Sequence, residues 1–145
     1  MDEQFPIFVR SPAEAFRVLN LPVTALLGAF CAFLMIALAF RVIGLRRGKR
    51  VSIGAGGVPA LERATRGHGN LAEWAPLALI LCAIAEWQGA PWRLLAVTAL
   101  VFAAGRACHA WSFTRPEEEF RFRAMGMHMT IWPLTGLAIM AVASL

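Results

Sequence analysis

In 145 residues the chain carries 59% hydrophobic side chains, only 16% charged ones, and a net charge of +5. A soluble domain is about 45–50% apolar and roughly 25% charged, so a single domain of this length has too little polar surface to cover itself in water. The positive balance does not form a nucleic-acid patch: Arg46, Arg47, Lys49 and Arg50 follow the first long apolar run, where the flanks of membrane spans carry basic residues, and no nucleic-acid partner is expected.

Residues 1–20 hold Asp2, Glu3, Pro6 and Pro12. The acidic start lacks the basic region of a cleaved signal peptide. The segment reads as a short interfacial helix beginning near Ser11, or as disordered. From Leu21 to Leu45 only Thr24 and Arg41 are strongly polar; about 20 apolar residues cross a bilayer, and Arg41 is near enough to the end to snorkel. Glycines and Pro59 mark 46–60 as a loop. A second helix is expected from about 61 to 88, a tight turn at 89–91, and a third helix over 92–113. The polar segment 114–123 leads into a fourth span over 124–145, with Pro133 as a kink. The expected fold is all-α, an integral membrane four-helix bundle forming one domain over 1–145. Loop charge places 46–60 and 114–123 in the cytoplasm, and the absence of eukaryotic-type signals points to a bacterial inner membrane. Cys31, Cys82 and Cys108 fall in three different spans and read as small buried residues, not as a disulfide framework. No metal site is expected.

The segment ERATRGHGNLAEWAP, residues 62–76, is the most informative. Arg63, Arg66, Asn70 and Glu73 recur at helical spacing and share one broad face. Ionisable groups in a span are costly and usually face a bundle interior or a cavity. One reading is a structural cluster, with Arg66 paired to Glu73; the other is a ligand site. His68 points away from this face. In the third helix Arg106, His109 and Phe113 share a face, and Arg123 opens the fourth, followed by Gly126, Thr130 and Pro133. Convergence of these groups at one end of the bundle would suit a small ligand with several carboxylates and an amine.

The residues Arg66, Asn70, Glu73 and Pro76 in RGHGNLAEWAP resemble the RxxxNxxExxP signature of the MAPEG family, the membrane-associated proteins in eicosanoid and glutathione metabolism. GRACHAW, residues 105–111, is similar to the family's third-helix pattern, and RAMGM, 123–127, to the start of its fourth helix in bacterial members. The resemblance implies a homotrimer that binds glutathione as cosubstrate between protomers near the cytoplasmic side. Arg66, Asn70 and Glu73 would hold the peptide, with Arg106 and His109 contributing from the third helix; Arg63 joins them by helical geometry alone. Arg123 looks like the arginine that supports the thiolate, its spacing to Gly126 fitting better than that of Arg121. The implied activity is a glutathione transferase or peroxidase acting on a lipophilic small-molecule substrate that arrives through membrane lipid. The chain has no tyrosine: Trp74 and Phe113 stand where many members have one. A mechanism through a tyrosine hydroxyl is excluded.

Two other functions compete. A non-catalytic protein of the same fold would bind lipids or a partner membrane protein. A small multidrug-type transporter would need a carboxylate in its first span, and Leu21 to Leu45 has none.

Overall fold

The computed structural model describes residues 20–115 and 120–143. The described residues form four helices: α1 Pro22–Lys49, α2 Pro59–Trp87, α3 Trp92–Ser112 and α4 Phe120–Ala143. At about 1.5 Å per residue all four reach across a hydrocarbon core of roughly 30 Å, and all four are apolar enough to do so. The chain is an all-α, membrane-spanning protein. The reading of residues 1–19 as interfacial helix or disorder lies outside the described residues.

The boundaries differ from the sequence expectation in instructive ways. α1 runs on to Lys49, so Arg46, Arg47 and Lys49 sit on its last turn and not in a loop. Cations there complement the partial negative charge of a helix C-terminus. Arg50 ends the helix in the left-handed region with φ 54°. Pro59 does not break a helix but opens one, at the first position of α2, where its missing N–H costs nothing. α2 closes with Gly89 at φ 80° and the Ala90 N–H donating to the Ala85 carbonyl at 2.9 Å, a glycine-terminated cap. α4 begins at Phe120, so Arg121 and Arg123 are already helical.

α2 touches each of the other three helices, whereas α1 and α4 do not meet. The inward face of α2 is built of small residues, with Ala64, Gly67, Ala75, Ala78, Cys82 and Ala85 all buried. Small side chains let helices approach closely, which is how membrane bundles pack when lipid is as apolar as leucine. Many large apolar residues face outward: Leu26, Phe33, Phe40, Leu100, Trp132 and Ile139 are exposed. Trp87 and Trp92, both exposed, flank the α2–α3 turn, as aromatic side chains do at headgroup level.

One carboxylate fixes the start of α1. Leu21 supplies no side-chain cap. Instead Glu86, in the last turn of α2, accepts the N–H groups of Val23 and Thr24, each at 2.8 Å. Free N–H groups at a helix start attract an anion, and here the acid comes from the neighbouring helix.

Candidate ligand site

The α3–α4 seam carries the polar end of the bundle. A Cβ on Gly105 would lie 2.7 Å from the Met129 carbonyl oxygen, and one on Gly126 would lie 2.9 Å from the His109 nitrogen. Only glycine fits at either place. Pro133 has no N–H to bond the Met129 carbonyl four residues earlier, so the approach at Gly105 occurs where α4 has a free backbone oxygen.

Arg106 emerges from this seam with 2% exposure. Its Nη1 donates to Asn70 Oδ1 at 2.6 Å. Its Nη2 donates to Thr130 Oγ1 and reaches the Gly126 carbonyl at 3.4 Å. Thr130 passes its own hydroxyl proton to the same carbonyl at 2.7 Å. Thus α2, α3 and α4 are tied at one guanidinium. A buried charge is tolerable only when hydrogen bonds replace its hydration. The arrangement fixes the Asn70 side chain with its oxygen inward and its amide N–H₂ group free to face away from Arg106.

His109 is 5% exposed and meets the Phe113 ring edge-on at 5.1 Å. Arg123, half-buried, places its Cζ 5.0 Å from the centre of that same ring. Phe113 in turn sits against Gly67 of α2, where an added Cβ would come within 3.3 Å of the ring. Phe113 therefore joins the three helices beside Arg66 and gives Arg123 an aromatic face to rest on.

Arg66 and Glu73 lie on the outside. Their nearest N–O distance is 3.9 Å and their side chains are 70% and 58% exposed. This is the only ion pair among the described residues. Such a loose contact contributes at most about 1 kcal/mol even in water. Arg66 also lines a cleft of about 210 Å³ with Arg46, Gly54, Ala55, Glu62 and Thr65. Arg63 is half-buried and stands near Arg41 of α1.

The residues singled out in the sequence thus divide into three groups, with Arg63 in none of them. Asn70 and Arg106 are brought together, with Thr130 completing the contact. His109 and Arg123 meet through Phe113. Arg66 and Glu73 form a separate exposed pair that shares a helix face with Asn70. Arg106 and His109 stand behind the polar stripe, not on it. Sequence spacing missed Glu86, whose role depends on a contact 63 residues away. An apolar groove of about 260 Å³ lined by Val23, Leu26, Phe30, Ala99 and Ala103 lies between the first half of α1 and α3.

Residues 24–143 match the model of the MAPEG family. The chain is also 36% identical over 123 residues to the inner membrane protein YecN of Escherichia coli K12, covering 85% of this chain and 90% of that protein. The YecN of a uropathogenic E. coli strain matches at the same identity and coverage. With four membrane-spanning helices, these similarities identify an integral protein of the bacterial inner membrane, and the chain belongs to the MAPEG family.

Proposed function

We propose that the protein is a glutathione-dependent transferase or peroxidase acting on hydrophobic electrophiles. The observation that carries this reading is the exposed Arg66–Glu73 pair on a spanning helix, beside an Asn70 held in place from behind. An uncovered ion pair facing lipid is unfavourable. A neighbouring protomer and a zwitterionic peptide would cover it together, which supports assembly as a homotrimer with the ligand between protomers.

The chemistry of glutathione fits the residues. Arg66 takes a carboxylate through two parallel N–H groups, Glu73 takes the amine, and Asn70 donates its free amide to a peptide carbonyl. Arg106 acts as a positioning residue that holds Asn70, and His109 positions Phe113. Arg123, resting on Phe113, receives the thiol. A free thiol has a pKa of about 8.5 and is only a few per cent thiolate at neutral pH. A guanidinium beside sulfur favours the charged form. The thiolate then attacks an electrophilic carbon of a lipophilic substrate, forming the C–S bond as the leaving group departs or the double bond takes up a proton.

The test is turnover of purified protein with glutathione and a panel of hydrophobic electrophiles and lipid hydroperoxides. Glutathione-dependent turnover should fall at least a hundredfold in Arg123→Ala, with little change in glutathione affinity. Phe113 in place of a hydroxyl-bearing ring favours a second reading, a non-catalytic binder; saturable glutathione binding with no turnover on any substrate would establish it.

A further inference from the structure

Two arginines outside the Asn70–Arg106 contact each hold one buried nitrogen without an acceptor among the described residues. Arg41 of α1 has its Nη1 shut off from the surface, and Arg63 of α2 has its Nε likewise; neither atom has a hydrogen-bond partner among the described residues. Neither residue takes part in an ion pair among the described residues. The two arginines lie toward the same end of α1 and α2, helices that pack on each other. Two like charges, partly desolvated, with buried donors unsatisfied, form an unfavourable arrangement in any protein and more so in a membrane. Snorkelling to water explains an exposed tip, but not an Nη1 hidden from solvent.

Depth points to what fills the gap. α1 begins at the bilayer boundary marked by Glu86, Trp87 and Trp92. Arg41 lies roughly 28 Å further along at about 1.5 Å per residue, close to the roughly 30 Å thickness of the hydrocarbon core. Arg63 lies only roughly 6 Å inside the start of α2 by the same rise. The pair is thus at the level of the opposite headgroups, where the abundant oxyanion is phosphate. Arg46, Arg47, Lys49 and Arg50 crowd the same end of the bundle and add to its attraction for anions.

We infer that Arg41 and Arg63 form an oxyanion site between α1 and α2 that takes a phosphate group, supplied by the headgroup of an anionic phospholipid. The site is separate from the glutathione reading in its ligand, and it assigns Arg63, the first residue of the stripe, to the oxyanion and not to the peptide.

The test uses wild-type protein, Arg41→Gln and Arg63→Gln in non-ionic detergent, with no glutathione present. Phosphatidylglycerol, phosphatidylcholine and inorganic phosphate are each titrated, with binding read by native mass spectrometry and stability by thermal unfolding. Phosphatidylglycerol should bind and raise the wild-type midpoint, and each variant should lose affinity about tenfold, as expected for one charge-assisted hydrogen bond. Displacement of the lipid by millimolar inorganic phosphate would assign the site to free phosphate as well. No displacement would assign it to the headgroup in its bilayer setting, and either result upholds the oxyanion site. In lipid-free detergent without phosphate both variants should unfold at or above the wild-type midpoint, because a partly desolvated charge has been removed. Lower midpoints there would mean that an acidic side chain of the chain already pairs with these arginines, and would overturn the proposal. Unchanged phosphatidylglycerol binding in both variants would overturn it equally.

Discussion

Single residues decide whether the polar end can exist. Gly126 lies against the His109 backbone nitrogen and the Gly105 carbonyl, so even a methyl group must push α4 away from α3. Gly126→Ala should cost about 1–3 kcal/mol, the usual range for overpacking a tight seam, read as a lower unfolding midpoint in detergent. It should also loosen the Arg106–Thr130 contact. Thr130→Val is the milder variant: it leaves the shape but removes the oxygen that accepts from Arg106. A buried donor left short of an acceptor costs about 1–3 kcal/mol. Both residues were visible in the sequence as part of the fourth-helix pattern, but only as neighbours of Arg123. That they serve Arg106 follows from the packing of α3 on α4, which spacing along one helix does not contain.

At the level of elements, the helices were legible because apolar runs of about 20 residues have few alternatives. Their ends were less so. Pro59 and the basic run from Arg46 both carry loop-like chemistry, yet a proline is well placed at a helix start and cations at a helix end, and α1 and α2 use both. The reach of Glu86 to Val23 and Thr24 was not legible at all, since it depends on α1 lying against the far end of α2. Its removal is a clean test of that packing. Glu86→Ala leaves two N–H groups unsatisfied at the start of α1 and should lower stability by about 1–2 kcal/mol, comparable to loss of a helix cap. Faster amide exchange should be confined to the first turn of α1. Exchange spread evenly over all four helices would mean that Glu86 holds the whole bundle and not one terminus.

For the whole molecule, the exposed surface has two characters. Most of it is large and apolar, as lipid requires. The Arg66–Glu73 face of α2 is not. The sequence stripe at Arg63, Arg66, Asn70 and Glu73 points to a polar face, but its spacing does not separate residues that point outward from those that lock inward. The two terminal nitrogens of Arg106 find acceptors within one chain, although its buried Nε does not; among the described residues, Arg66 and Glu73 form an ion pair only with each other. The account therefore expects protomers to meet over this face as a homotrimer, detectable by native mass spectrometry or by crosslinking in the membrane. Glu73→Gln should shift the population toward monomer, and a wild-type protein that stays monomeric in mild detergent and in bilayers would leave the polar face without its cover.

The most direct measurement is calorimetric titration of glutathione into the purified wild-type protein, with Arg66→Ala and Glu73→Gln alongside. The account predicts saturable binding by wild type and a loss of at least tenfold in each variant, since each removes a charged contact worth about 1.5–3 kcal/mol. A folded, trimeric wild-type protein that binds no glutathione would contradict it and leave the α2 stripe as an interface between protomers.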